Sequence, residues 1–280
     1  MRRNRIYRIL IYSVLFVISA LFVMPVLIVF MNSFKSNFGI SISMFSLPTS
    51  NTFVGFGNYI TGFTFGAYNF FLAFLYSLII TVLSVLLILL ATSMAAWFIL
   101  RVNNKFCKMI YYLCIFSMVV PFQMVMFTMT DVCYRLGLNT VLGIIPVYLG
   151  FGSGLSVFMF SGFVKGLPQE IEEAAMIDGC SPIKTFFYVV FPILKPTAIT
   201  VAILNAMWIW NDFLLPYLLL GSSNKTLSVA IQLTMQGAYG AIDWGGFMSM
   251  LVLAIIPIII FYLFCQKYII KGVIDGAVKG

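Results

Sequence analysis

The chain has 280 residues, of which 62% are apolar, 17% aromatic and only 9% charged, with 16 Lys and Arg against 8 Asp and Glu. Its mean hydropathy of +1.08 leaves too little polar surface to cover a soluble globule. Histidine is absent altogether, which excludes His-based triads, His-Glu zinc peptidase motifs and histidine proton relays.

A bilayer-crossing helix needs roughly 20 mostly apolar residues, and the chain predicts six: 9–31, 70–100, 109–130, 142–164, 197–220 and 246–266. They make an all-α, polytopic membrane protein, read as one domain over 1–280. The first span follows Arg2, Arg3, Arg5 and Arg8 as a signal peptide would, but its apolar run continues past Phe30 without a small-x-small site, so it is expected to be a retained helix. The loop at 36–69 is uncharged and rich in Phe, Tyr, Gly and Ser, and its aromatics are expected at the membrane surface or against a partner. The second span exceeds bilayer thickness and should tilt or extend into water. Pro25, Pro121, Pro146, Pro216 and Pro257 fall within predicted spans, where each removes a backbone donor and can bend its helix.

The basic residues sort by loop. Arg2, Arg3, Arg5, Arg8, Arg101, Lys105, Lys108, Lys165, Lys184, Lys195, Lys267, Lys271 and Lys279 fall on one side, leaving Lys35, Arg135 and Lys225 on the other. The positive-inside rule then puts both termini in the cytoplasm. A net charge of +8 distributed in this way forms no patch for nucleic acid. Five cysteines without CxxC spacing offer no zinc framework, and three of them would lie at the reducing side, where disulfides are not expected.

The longest inner loop, about 165–195, contains every glutamate in the chain: Glu170, Glu172 and Glu173. It reads as two short helices. Pro168 suits a first helical turn, and Glu170 then lies near the positive end of the helix dipole. Ile171, Ala174 and Ala175 recur at helical spacing as a small apolar face. Gly179 can end the helix in the left-handed conformation, Ser181 can cap the next and Pro182 can begin it. In that second helix Ile183, Phe186, Phe187 and Val190 form a face expected to pack on the membrane bundle, with Pro192 and Pro196 leading back into the bilayer. Such a helix-turn-helix is either a docking knob or a solvated surface helix whose acids keep it out of lipid.

Glu173-Ala174-Ala175, three residues, Gly179, nine residues and Val189-x-Phe191-Pro192 resemble the EAA signature of ABC-importer permeases, with Val and Phe departing from the usual Ile and Leu of its tail. "IWNDFLLP" at 209–216, "GVIDGAVKG" at 272–280, Asn58-Tyr59, Pro121 and "LGLNT" at 136–140 are similar to the second permease of maltose-type carbohydrate importers. Tyr76-Ser77 departs from that family's usual Asn-Ser. The resemblance implies that the loop is a cytoplasmic coupling helix-turn-helix seated on an ATPase. Glu170, Glu172, Glu173, Ala174, Ala175 and Asp178 would lie at that contact, Glu172, Glu173 and Asp178 meeting basic groups, with Gly179 setting the bend.

Asp212 is the one charge placed well inside a predicted span, a costly position that faces protein or a wet cavity. Pro216 cannot donate to the carbonyl of Asp212, so the helix should open there. Asn211 and Asp212 either line a translocation path or pin helices together; Trp208 and Trp210 either stack on sugars or pack.

No G-x-x-x-x-G-K-[ST] phosphate loop is present, so the chain is expected to be non-catalytic and to hold no cofactor or metal. The resemblance implies that ATP and Mg bind a cytoplasmic ATPase dimer. It also implies a second homologous permease, an extracytoplasmic solute-binding protein and a bacterial inner-membrane location amid lipid. The expected cargo is a mono- or oligosaccharide; polyols and glycerol phosphate are alternatives within the same type. An ion-coupled secondary transporter would need more intramembrane charge, and an intramembrane enzyme would need catalytic groups that are missing here.

Overall fold

The computed structural model describes residues 2–64, 69–221, 224–237 and 242–277; the last three residues of the 272–280 motif, and Lys279 with them, lie outside. The described residues are helical apart from loops and one isolated antiparallel bridge, Lys35 to Phe53. Among the described residues five helices are long and apolar enough to cross a membrane: Tyr7–Asn32, Phe70–Val102, Ile144–Val164, Pro182–Asn211 and Trp244–Tyr268. The expected third span differs. It is a pair of helices, α5 (Lys105–Val119) and α6 (Phe122–Arg135), bent by 111° at Pro121. Pro121 is extended, with ψ 135°, and a proline both lacks the donor that would continue α5 and holds its predecessor out of the helical region.

Contacts divide the chain into two compact units, one comprising residues 1–72 and 230–257, the other 73–229 and 258–280. In the first unit α1 (Arg2–Asn32) leads into a folded outer loop with two short helices, α2 (Asn37–Ile42) and α3 (Gly57–Thr64). The aromatics of the loop pack on one another: Phe34 meets Phe30, Phe53, Phe56 and Tyr59 with ring centroids 5.2–6.2 Å apart. Asn58 fixes the loop by donating to the carbonyls of Ser33 (2.8 Å) and Lys35 (2.7 Å). The buried Lys35 ammonium donates to the Ser43 carbonyl at 2.9 Å, and burial lowers its pKa from the ordinary lysine value.

The second unit holds all but the first three residues of α4 (Phe70–Val102), with α5, α6, α7 (Ile144–Val164), α8 (Gln169–Ile177), α9 (Pro182–Thr185), α10 (Phe191–Asn211) and α11 (Leu214–Leu220). Its core is centred on Ile88, Ile144, Tyr148, Phe160, Phe186 and Leu194. A π-helical turn, Phe186–Val190, joins α9 to α10 into one run from Pro182 to Asn211. There the Phe191 amide reaches back five residues to Phe186. The widened turn sits just before Pro192, whose ring would crowd a carbonyl four residues back and which supplies no donor. The expected fifth span, 197–220, therefore starts earlier and breaks at Asp212, which adopts ψ 126°. Of the five prolines expected to bend spans, Pro25 and Pro257 lie inside helices. Pro146 and Pro216 occupy first turns, where the missing donor costs nothing.

Between α7 and α10 the buried Asn205 donates to Ser156 Oγ (3.1 Å) and to the Val201 carbonyl of its own helix (2.9 Å). This approach needs Gly152: a Cβ there would lie 2.7 Å from both Asn205 Oδ1 and the Ile88 methyl. We predict that Gly152→Leu lowers stability by about 1–3 kcal/mol through overpacking, read as a lower Tm of the detergent-purified protein. Gly162→Ala, on the same helix with open space around it, should leave Tm equal or higher, since alanine favours helix by about 1 kcal/mol.

Candidate functional site

The acidic helix forms, with Pro168 capping it from outside rather than lying in its first turn. Pro168 is extended and precedes the first residue of α8, with Glu170 and Glu172 in the first turn. The helix ends in a Schellman motif: Cys180 N–H donates to the Ala175 carbonyl at 3.0 Å and Gly179 N–H to that of Met176 at 3.1 Å. Gly179 has φ +88°, a left-handed value that costs a residue with a Cβ roughly 1–2 kcal/mol. Ser181 Oγ then accepts from Lys184 N–H (3.4 Å) and Pro182 opens α9. The elbow expected at Gly179 is present, made by the residues singled out for it.

Its side chains divide into two sets. Glu170, Glu173, Ala174, Asp178 and Gly179 are exposed, whereas Glu172 and Ala175 are buried. Glu172 was expected to meet a basic group of a partner; instead its carboxylate is occupied within this chain. Arg101 Nε lies 3.1 and 3.0 Å from its two oxygens and the terminal guanidinium nitrogen 2.5 Å from Oε1. Trp97 Nε1 donates to Oε2 at 2.8 Å. Helical geometry lets only one of the two acids face inward, because Glu173 is turned about 100° from Glu172, which shares the inward face with Ala175. The apolar stripe also splits: Ala175 packs inward, while Ile171 and Ala174 face out, as does Ile177 beyond the stripe, 86% exposed. In the following helix Phe186 and Val190 are buried as expected, but Ile183 and Phe187 are exposed. A cleft of about 280 Å³ beside the ion pair is lined by Trp97, Phe98, Glu173, Met176 and Pro182.

Trp97 and Arg101 were not singled out as site residues; Arg101 figured in the charge count alone. Their spacing of four along α4 was the available signal, since it stacks an indole donor and a guanidinium on one face.

The second candidate region lies at the break after α10. Asp212 Oδ2 accepts from Tyr148 Oη at 2.9 Å and Oδ1 from Leu214 N–H at 3.1 Å. The Asp212 carbonyl that Pro216 cannot serve accepts from Ser228 Oγ at 2.6 Å. Asp212 thus joins α7, the break and residue 228 through neutral donors, and the opening predicted from Pro216 is matched by a substitute donor. It sits at the end of α10 rather than within a span. Trp208 packs edge-on against Tyr148 (5.5 Å) and Trp210 against Phe74 (5.8 Å). Asn211 donates to Met207 of its own helix at 2.7 Å. The contacts of Asp212, Trp208 and Trp210 reach other elements, whereas that of Asn211 stays within α10.

If Asp212 is a pin, its charge is dispensable and its hydrogen bonds are not. In Asp212→Asn the amide oxygen can keep Leu214 N–H while Tyr148 Oη turns to accept from the new NH2. Its Tm should fall by less than that of Asp212→Leu, which orphans both donors at about 1–3 kcal/mol. Detergent-purified variants compared by thermal unfolding check the order.

Residues 87–275 match the family model described as "Binding-protein-dependent transport system inner membrane component", a segment containing the acidic elbow, Arg101 and Asp212. The chain is 37% identical, over the whole of both chains, to the probable starch degradation products transport system permease protein AmyC of Thermoanaerobacterium thermosulfurigenes. It is 35% identical, over 96% of each, to the multiple sugar-binding transport system permease protein MsmG of Streptococcus mutans. Its fold is similar to a chain of a bacterial ABC transporter involved in import of the acidic polysaccharide alginate, with TM-score 0.81, 22% identity, and 96% of this chain and 98% of that one covered. The chain therefore belongs to the inner-membrane components of binding-protein-dependent transport systems, the non-catalytic permease subunits of ABC importers, in which ATP hydrolysis is carried out by a separate partner.

Proposed function

We propose that this permease moves a carbohydrate inward, with both termini cytoplasmic and α8 docked on the ATPase. The observation that carries the docking is the outward face of α8. Ile177, 86% exposed, stands beside Glu170, Glu173 and Asp178 on a helix whose inward face is already satisfied. An apolar side chain held out among acids suits a partner cleft with apolar walls and basic rims. Placing this loop in the cytoplasm agrees with the distribution of basic residues. ATP and Mg then bind the partner ATPase dimer, and this chain contributes motion rather than chemistry.

A second permease fits the same picture. Among the described residues none buries the most apolar stretch of α1, so lipid and a neighbouring permease supply its surroundings. The solute-binding protein delivers cargo from outside. The names of the relatives, which refer to starch degradation products and multiple sugars, favour a mono- or oligosaccharide over a polyol or glycerol phosphate.

Purification from the native host should co-elute an ATPase, a second permease and a binding protein, and sugars screened on the reconstituted complex should stimulate ATP hydrolysis. Glu173→Lys puts a positive charge at the docking face, and Gly179→Pro removes both the left-handed conformation and a Schellman hydrogen bond. Each should abolish ATP-driven uptake while the protein remains inserted in the membrane. Normal uptake by both would refute the docking role.

A further inference from the structure

We infer that Arg101 is a positioning residue for coupling: its clasp on Glu172 makes α8 and the end of α4 move as one body, so that displacement of the elbow is delivered to α4. The inference rests on the docking reading above and adds a route for the force.

The geometry resists both sliding and rotation. The guanidinium engages both carboxylate oxygens and also donates to the Leu167 carbonyl at 3.3 Å, so one planar group ties α4 to α8 and to the turn that follows α7. A planar fork on a carboxylate is directional as well as strong. One turn earlier on α4, Trp97 holds the same carboxylate from a second point. The pair is shielded, with Glu172 6% and Arg101 19% exposed at the side chain. An exposed ion pair yields easily because water replaces the partner. Parting a buried one strands a charge without solvent. Other interactions near α8 are weaker candidates for this role: Ala175 supplies only a small buried contact, and Gly179 joins α8 to α9 through a turn. The ion pair, with the Trp97 hydrogen bond beside it, fixes the distance between α8 and α4.

The test uses the assembled complex purified from its host, with the five native cysteines replaced and spin labels placed at Val102→Cys on α4 and Gln169→Cys on α8. Electron paramagnetic resonance compares nucleotide-free complex with complex trapped by ATP and vanadate. With Arg101 and Glu172 intact the label separation should change by less than about 2 Å, the scale of small shifts between packed helices. In Glu172→Gln it should change by about 5 Å or more, the scale of a one-turn slip, while Arg101→Lys, keeping charge without the fork, should fall between. A parent complex that assembles and hydrolyses ATP, yet whose labels separate by about 5 Å, overturns this inference and leaves docking intact. An unchanged separation in Glu172→Gln overturns it as well. A parent chain that recruits no ATPase overturns docking, and this inference with it. Should Glu172→Gln fail to assemble, the parent measurement alone decides.

Discussion

Hydrocarbon offers no hydrogen bonds, so polar groups carried into the bilayer are driven to partners inside the protein, although the hydroxyls of Thr81, Ser84, Ser161 and Thr185 are buried without one. That constraint organises the second unit. Along α4, Thr92 and Ser93 return their hydroxyls to carbonyls one turn back, and Ser77 Oγ accepts from the Leu227 amide at 2.8 Å. Ser77 is the member of the Tyr76-Ser77 pair that keeps the expected serine, the departure from Asn-Ser lying at Tyr76, and this buried contact belongs to the retained position. Asn205 and Ser156 satisfy one another between α7 and α10, and Asp212 is held by Tyr148, Leu214 and, through its carbonyl, Ser228. The broken backbone at Asp212 is served in the same way: its carbonyl accepts from Ser228 Oγ, and the Leu214 amide donates to its carboxylate.

Much of this arrangement is legible along the chain because local rules fix it. Apolar length marks the spans, Gly179 marks the left-handed end of α8, and Pro216 marks the open carbonyl of Asp212. What is not legible depends on residues far apart in sequence. Glu172 and Glu173 are adjacent and chemically identical, and only the arrival of Trp97 and Arg101, more than 70 positions earlier, decides which one turns inward. Pro121 announces a disruption of the third span, but a proline does not fix the angle; packing against the rest of the unit makes it 111° rather than a modest kink. Ile183 and Phe187 share the helical spacing of Phe186 and Val190, yet the packed face is narrower than the apolar one and leaves them exposed.

These long-range contacts give the elbow two different connections to the membrane helices. One is continuous backbone: from Pro182 a single helical run passes through the π turn and ends at Asp212, so a displacement at its base is carried toward the Tyr148–Asp212 contact. Its π turn and two prolines, Pro192 and Pro196, interrupt the regular hydrogen-bond ladder near that base, where a helix bends most readily. The other is the side-chain clasp on α4, a 33-residue helix without an internal proline. A shaft without a proline, held by a buried ion pair, transmits displacement with less loss, while a shaft with an interrupted ladder can absorb part of it as bending. If both are moved from α8, the two helices need not respond alike. A difference of that kind changes the packing between spans, which alternating access requires and a rigid-body shift of the whole unit would not provide.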